Sequence, residues 1–250
     1  MKQIILLLFI TSLSFSQFKF SKALPDPYYK VVVLGTNNNI TDIAPSGWGV
    51  VCHNLAVGEI AKFGHSSISL NIDHNQSVIF INYNSYYDPL SYGNDYTIEL
   101  WFYDVGTATG GSWFLKSAMN TMYEAFGITT LPTEIIFSNS NTPNPSNQAT
   151  PYRYTYNSFN KNTWFHVAQS RKGNSVYYFV NGNLVHTYNS NNGFGNTYRN
   201  SPASVGSVGR STDTAVLPKV ESNRFCGYVQ AIKFSTIARY TSNFVPSKPY

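Results

Sequence analysis

Three runs of β-branched and aromatic residues follow one another between Thr163 and Tyr188. They are separated by Lys172-Gly173-Asn174 and by Asn181-Gly182. Asn-Gly is the favoured two-residue hairpin turn, because both residues accept a positive φ. The stretch therefore predicts a three-stranded antiparallel meander, and any larger fold has to cover the apolar face of that meander with a second layer.

Similar strand patterns recur along the chain, and no helical periodicity lasts for three turns. The runs are short and are broken by Asn, Gly, Ser and Pro: Val31–Leu34, Ser77–Tyr83, Tyr96–Val105, Val205–Val208 and Phe225–Phe234. The segment 139–151, with three prolines, is predicted to be a loop. No repeat and no linker divides the pattern, so the sequence predicts one all-β domain.

The run that starts at Tyr96 alternates throughout its length. One set of alternate positions is apolar, and the other also carries large side chains: Tyr96, Ile98, Leu100 and Phe102 against Thr97, Glu99, Trp101 and Tyr103. Successive side chains of a strand point to opposite faces of its sheet. This strand is therefore expected to be covered on both faces.

The composition excludes several other classes of protein. Charged residues make up 12% of the chain and aromatic residues 16%, whereas soluble domains usually carry about 25% charged residues. Coiled coils, helical bundles and charge-rich disordered chains do not fit these values. The 17 basic and 12 acidic residues are scattered along the sequence. Without a basic cluster, we do not expect nucleic-acid binding.

The N-terminus has the pattern of a secretory signal. An apolar stretch from Ile4 to Leu13 precedes the small-residue pattern Ser14-Phe15-Ser16. Residues 1–16 are predicted to be a signal peptide or an N-terminal arm, 17–25 a short leader and 26–250 the domain. The stretch is shorter than the roughly 20 residues of a membrane-spanning helix, and no later segment is longer. We expect a secreted or virion-exposed protein without a membrane span.

Two cysteines, Cys52 and Cys226, lie far apart and lack the spacing of a metal site. Export would permit a disulfide between them. A buried free cysteine, which behaves as a small apolar residue, is the alternative.

Four blocks along the chain carry a resemblance to a known family. In order, they are Ala61-Lys62-Phe63-Gly64 with Ser67–Leu70, Asp95–Tyr103, Thr163–Ala168 with Tyr178–Gly182, and Gly227-Tyr228-Val229 with Ala238–Phe244. They resemble the concanavalin A-like, laminin G-like jelly-roll domains, and the resemblance covers residues 24–250. It implies an antiparallel β-sandwich of two sheets.

Details at the two ends of the domain resemble one version of that family. Asp26-Pro27-Tyr28-Tyr29 and the closing block are most similar to the version common in phage and viral structural proteins. Gln230-Ala231 stands where the family carries an acidic pair, so any cation or polar role of that pair is in doubt. The family includes sugar binders, adhesion modules and virion parts, and the fold alone does not decide between them.

Some relatives in that superfamily cleave glucans with two carboxylates at alternate positions of one strand. Here Glu99 is followed at those positions by Trp101 and Tyr103, which cannot replace a catalytic carboxyl group. We therefore predict a protein without catalytic activity. His166, on an expected neighbouring strand, is predicted to pair with Glu99 and so to satisfy two half-buried polar groups.

No metal site is predicted from the residues themselves. The histidines lack zinc spacing. The resemblance leaves a calcium ion at the rim as an open alternative, with aspartates near predicted loops: Asp73, Asp88, Asp95 and Asp213. No dense acidic loop of the kind that calcium requires is present. We assign no cofactor.

Tyrosines near predicted loops are the candidate ligand-binding residues: Tyr86, Tyr87, Tyr92, Tyr152, Tyr154 and Tyr156. An aromatic ring stacks on the apolar face of a sugar, and neighbouring Asn side chains can bind its hydroxyl groups. Tyrosines serve protein interfaces equally well, and the last three are also explained as one face of a strand. The favoured function is attachment to a glycan or to a host or neighbouring protein. The alternative is a structural subunit, such as a capsid decoration, spike or fibre protein, and homo-oligomer or particle assembly stays open.

Overall fold

The computed structural model describes residues 26, 28–36, 39–42, 44, 50–53, 56–58, 60–63, 67–70, 78–81, 95–106, 112–117, 126–139, 152–189, 203–210 and 219–247. The predicted signal peptide and leader lie outside this part of the chain, so the structure does not test them and they stay a prediction. Within the described part, no helix is long and apolar enough to cross a membrane.

The described residues form strands joined by turns and loops. The strands are β1 (Tyr29–Thr36), β2 (Asn39–Asp42), β3 (Val50–His53), β4 (Ala56–Gly58), β5 (Ser67–Leu70), β6 (Val78–Ile81), β7 (Tyr96–Asp104), β8 (Ser112–Ser117), β9 (Phe126–Thr130), β10 (Ile135–Asn139), β11 (Tyr152–Tyr156), β12 (Trp164–Lys172), β13 (Ser175–Val180), β14 (Asn183–Asn189), β15 (Ala203–Val205), β16 (Ser207–Arg210), β17 (Lys219–Arg224) and β18 (Gly227–Ser235).

Two antiparallel sheets form the body of the protein. The nine-stranded sheet has the order β14-β13-β12-β7-β18-β1-β2, with β5 beside β18 and β4 beside β5. The seven-stranded sheet has the order β11-β10-β9-β8-β15-β6-β3, and β16 pairs with β17 separately. The predicted all-β fold of two antiparallel sheets is confirmed.

The predicted meander is present as β12, β13 and β14. Its second turn holds Asn181 at φ 51° and Gly182 at φ 79°, as a hairpin with two positive-φ residues requires. Strand β7 pairs with β12 on one side and with β18 on the other. It therefore lies inside the nine-stranded sheet, where both of its faces are covered.

The main core lies between the sheets, and both sheets contribute to it. From the nine-stranded sheet come Ile98, Leu100, Phe102, Val167, Val180, Val229, Ile232 and Phe234, and from the seven-stranded sheet Ile128, Ile135, Phe137 and Val205. Burying one such side chain fully contributes roughly 1.5–3 kcal/mol. The even-numbered positions of β7 face this core, as the alternation predicts.

Cys226 lies just before β18 and is a buried free thiol. Cys52 lies in β3 of the other sheet, opposite Ile79. The structure therefore shows no bond from Cys226 to Cys52, and the disulfide stays a prediction.

Residues 236–247 cross the outer face of the nine-stranded sheet, and we call this segment the tail. The N–H of Phe244 donates to the carbonyl of Gly182 (2.9 Å), and the N–H of Leu184 donates to Oδ1 of Asn243 (2.8 Å). The ring of Phe244 packs on Phe179, with 5.2 Å between centroids. The tail is thus attached to the turn between β13 and β14.

Two glycines test how closely the tail is packed there. A Cβ atom at Gly182 would collide with the carbonyl of Phe244 and with Pro246, whereas one at Gly173, which also has a positive φ, would meet nothing. We expect Gly173→Ala to cost about 1–2 kcal/mol from backbone strain alone. Gly182→Ala should cost about 2 kcal/mol more, because it also displaces the tail. Denaturant unfolding of both variants measures this, and equal losses would contradict the packing.

Candidate functional site

The outer face of the nine-stranded sheet carries large side chains in transverse rows. Strand register places Tyr103 of β7 opposite Trp164 of β12 and opposite Tyr228 of β18. These three side chains are half-buried. We call Trp164, Tyr103 and Tyr228 the aromatic row.

The rings of the aromatic row are in contact but not coplanar. The centroids of Tyr103 and Trp164 are 5.7 Å apart with the rings inclined by 58°. Those of Tyr103 and Tyr228 are 6.0 Å apart at 67°. A Cβ atom at Gly58 would collide with the Tyr228 ring, so this glycine provides the space in which the ring lies. The row is a faceted surface three strands wide.

The next row on the same face lies two positions along β7 from Tyr103 and consists of His166, Trp101 and Gln230. Trp101 is 8% exposed, and its ring lies 5.1 Å from the ring of His166. The side-chain oxygen of Gln230 accepts the N–H groups of Lys62 (3.1 Å) and Phe63 (3.4 Å). This holds the 60–63 segment over Trp101, with Phe63 edge-on to the indole at 5.3 Å and Nζ of Lys62 5.2 Å from its centroid.

Three buried nitrogen atoms in these two rows have no hydrogen-bond partner among the described residues: Nε1 of Trp101, Nε1 of Trp164 and Nδ1 of His166. Trp164 packs against the small cluster of outer-face side chains that contains Trp101. Buried polar groups normally find partners. This part of the face therefore has unused hydrogen-bonding capacity beside the aromatic row.

The third row is centred on Glu99, which is 2% exposed. Its carboxylate lies 3.1 Å from Nε2 of His166 and 3.8 Å from Nζ of Lys233. It accepts hydrogen bonds from the hydroxyl groups of Tyr29 (3.3 Å) and Tyr240 (3.2 Å). The predicted pair of Glu99 and His166 is thus present, inside a larger buried network.

Opposing effects act on the pKa of Glu99. Burial alone would raise it, but the hydrogen bond from His166, the charge of Lys233 and the hydroxyl of Tyr240 outweigh burial and hold the pKa below its ordinary value. The carboxylate is therefore ionised, and it is engaged in hydrogen bonds and ion pairs with its neighbours. Trp101 and Tyr103 occupy the alternate positions of the strand, as the sequence predicts.

The predicted tyrosines of β11 lie at the seam between the two sheets. Tyr152, Tyr154 and Tyr156 share one half-buried face of the strand and pack against the core. Tyr152 stacks on Tyr188 of β14 at 3.9 Å, and Tyr154 stacks on His186 at 4.5 Å. These are contacts between sheets, which favours the strand-face explanation over a sugar platform.

A hydrogen bond at the seam joins the hydroxyl of Tyr152 to Nε2 of His186. Burial raises the pKa of Tyr152 and lowers that of His186, so both side chains are neutral near pH 7. The pair closes the seam without adding charge to it.

The other candidates are only partly described. Tyr86, Tyr87 and Tyr92 lie outside the described residues, as do three of the four rim aspartates: Asp73, Asp88 and Asp213. The fourth, Asp95, accepts the N–H of Gly173 (2.8 Å) and so braces the turn after β12. In the part of the chain that is described, no three metal-binding side chains come together.

A family model of the concanavalin A-like lectin/glucanases superfamily matches residues 75–234, which is more than half of the chain. The chain belongs to this superfamily. The matched range includes β7, β12 and most of β18, and so all three strands of the aromatic row. No curated protein matches the sequence.

Solved structures share the fold of this chain at low sequence identity. The receptor binding domain of botulinum neurotoxin D has a TM-score of 0.60 and 10% identity over 86% of this chain and 50% of that one. The binding domain of botulinum neurotoxin DC in complex with rat synaptotagmin II has a TM-score of 0.61 and 12% identity over 85% and 49%. The chain thus spans about half the length of these proteins, and at such identities they share the fold alone.

A third structure concerns botulinum neurotoxin type C, whose cell entry is dependent upon interaction with two ganglioside molecules. It has a TM-score of 0.61 and 13% identity over 85% of this chain and 49% of that one. The similarity again covers half of the larger protein.

Proposed function

We propose that the chain is a non-catalytic recognition module that binds a glycan chain across the aromatic row. The observation that carries this proposal is the register of Trp164, Tyr103 and Tyr228 across three neighbouring strands. Aromatic rings bind the apolar faces of sugars. Three rings in a line can contact successive sugar units of one chain.

The inclination of the rings narrows the class of ligand. Coplanar rings would suit the flat surface of a crystalline polysaccharide. Rings inclined by 58° and 67° suit a single, twisted chain whose sugar units present different faces. We therefore expect a soluble oligosaccharide or a surface glycan as the ligand.

The environment of Glu99 supports the proposal that the module is non-catalytic. Its carboxylate is buried and is held by two tyrosines, a histidine and a lysine. A second carboxylate is needed for glycoside hydrolysis, and the adjacent outward positions are Trp101 and Tyr103. The module is expected to bind glycans without cleaving them.

The setting is proposed to be extracellular, on the strength of the signal-like residues 1–16. Similar folds occur in toxin domains that bind receptors, one of them in complex with rat synaptotagmin II and another in complex with SialylT. Because this chain matches only half of those proteins, their ligands support recognition in general and no particular partner.

The aromatic row can be tested by alanine substitution. We expect Trp164→Ala and Tyr228→Ala each to weaken glycan binding about five- to thirtyfold, because each removes a stacking surface worth roughly 1–2 kcal/mol. A glycan array followed by calorimetric titration measures this. Tyr28→Ala, which removes a tyrosine that is 50% exposed outside the row, is the matched control and should bind normally.

Two results would count against the proposal. Folded Trp164→Ala and Tyr228→Ala variants that bind as tightly as the parent would remove the row from the function, and loss of binding in Tyr152→Ala or Tyr154→Ala instead would move the site to the seam. Purified particles or oligomers in which the row is buried, without glycan binding, would favour the structural-subunit alternative.

A further inference from the structure

Asp104, the last residue of β7, carries a carboxylate that lies between the two sheets. It is 2% exposed, and the hydroxyl of Thr130 in β9 of the opposite sheet donates to its Oδ2 (2.7 Å). Its Oδ1 has no hydrogen-bond partner among the described residues. One hydroxyl compensates a carboxylate poorly for the loss of water, so the ionised form is costly at this place.

The charges around Asp104 do not neutralise it. Among the described residues, no basic group lies within ion-pair distance of its carboxylate. Lys161, in the loop before β12, acts on it at longer range, and its Nζ donates to the carbonyl of Gly106 (3.4 Å). The other titratable groups that the structure describes on the packed elements form no hydrogen bond or ion pair with it: Glu134 after β9, Cys226 before β18, and the outward-facing Tyr103 and Tyr228.

Burial raises the pKa of Asp104 above its ordinary value of 3.8 and outweighs the opposing effects of the Thr130 hydroxyl, the Lys161 charge and the Gly106 backbone. The folded protein therefore binds a proton at Asp104 more tightly than the unfolded chain does. The contribution of Asp104 to stability is complete below pH 3.8 and is lost as the pH rises through the folded pKa. Ionisation of Asp104 thus favours states in which water enters this end of the sandwich.

The backbone around Asp104 connects this end of the sandwich to the aromatic row. The carbonyl of Asp104 accepts the N–H of Asn162 (2.8 Å), two residues before the ring on β12. The N–H of Val105 donates to the carbonyl of Cys226 (3.1 Å), two residues before the ring on β18. The ring on β7 belongs to the residue just before Asp104. The three strand ends that carry the row are therefore held together around this carboxylate.

We infer that Asp104 is a positioning residue for the aromatic row, and that the row binds its glycan more tightly when Asp104 is protonated than when it is ionised. This inference rests on the proposed function and adds regulation of the same site by pH. A ligand that requires an aligned row binds with an affinity reduced by the fraction of molecules in which the row is aligned. Protonation of Asp104 raises that fraction.

Calorimetric titration of the glycan selected on the array tests the inference from about pH 7.5 down to about pH 4.5. We expect the parent to bind about two- to fivefold more tightly at the acidic end. Asp104→Asn keeps the shape of the side chain without a charge, so it should bind at neutral pH as tightly as the parent binds in acid. Asp95→Asn is the matched control at the other end of β7, where it keeps an acceptor for Gly173, and should retain the parent profile.

A second variant moves the transition instead of removing it. Thr130→Val removes the hydroxyl that favours the ionised carboxylate. The midpoint of the binding profile should therefore move about one pH unit upward. A midpoint that stays in place in Thr130→Val, or a parent-like profile in Asp104→Asn, would overturn the inference.

Stability without ligand provides an independent measurement. At neutral pH, Asp104→Asn should unfold at a higher urea concentration than the parent, and this advantage should disappear as the pH falls. A less stable Asp104→Asn variant at neutral pH would overturn the inference without any binding data. Binding that does not change with pH but is lost in Trp164→Ala would overturn the regulation and leave the proposed function intact. Absence of glycan binding at every pH would overturn both.

Discussion

Glu99→Ala is expected to lower the free energy of unfolding by about 3–5 kcal/mol, the loss typical of a buried charge network that is deprived of one partner. The substitution would leave Lys233 and His166 buried, at 3% and 1% exposure, without the carboxylate that they face. It would also remove a carboxylate oxygen to which the hydroxyl groups of Tyr29 and Tyr240 each donate. Urea unfolding at neutral pH measures the loss.

The matched control is Glu134→Gln, which changes a partly exposed glutamate in the turn between β9 and β10. Such surface changes usually stay within about 0.5 kcal/mol. A loss in Glu99→Ala that is no larger than that of the control would contradict the assignment of Glu99 as the centre of the network.

The pH profile of stability provides a second measurement on the same residue. The pKa of Glu99 is lower in the folded protein than its ordinary value of 4.5. The unfolded state therefore binds more protons at acidic pH, so the stabilisation from Glu99 is present above pH 4.5 and disappears as the pH falls through the folded pKa. Glu99→Gln should flatten this acidic part of the profile.

The fold was predictable because its strongest signals are local in sequence. The turn at Asn181-Gly182 is specified by two adjacent residues, and β7 reveals its two covered faces by its own alternation. The sequence also predicts that β7 and β12 are neighbours, because it expects Glu99 and His166 to lie on adjacent strands, and the two strands do pair. Even so, the sequence alone did not give the order of the other strands.

The aromatic row was not predicted, because it depends on a bulge in β18. Ala231 has φ 55°, and the register of β18 against β7 shifts between Gln230 and Lys233. Before the bulge Tyr228 faces outward, and after it the outward positions are odd-numbered. Strict alternation from Tyr228 would have sent Phe234 outward, although Phe234 lies in the core. No local sequence pattern predicts a bulge of this kind.

For three of the candidate tyrosines the sequence left two explanations open, a ligand-binding loop and one face of a strand. Tyr152, Tyr154 and Tyr156 alternate with Arg153 and Thr155, and this period of two is the signal of a strand. The prolines in the preceding segment 139–151 are typical of a loop. In the structure these residues form a strand, in which the three tyrosines are half-buried and the side chains of Arg153 and Thr155 are exposed.

Ending the chain after Thr236 should cost at least about 4 kcal/mol, because the tail supplies both rings and hydrogen bonds to the sheet. The buried hydroxyl of Thr97 donates to the carbonyl of Ile237 (2.9 Å) and accepts the N–H of Arg239 (2.8 Å). Phe244 stacks on Tyr240 at 3.5 Å. Truncation after Ser247 keeps all of these contacts and is the control.

Combining this truncation with Glu99→Ala tests whether the tail and the carboxylate form one unit. Tyr240 of the tail donates to Glu99, so each change removes part of what the other would remove. Residues that share one network show coupling energies of about 0.5–3 kcal/mol. The double variant should therefore lose less stability than the sum of the two single losses. Strict additivity in a double-mutant cycle would mean that the tail covers the outer face without stabilising the buried charge.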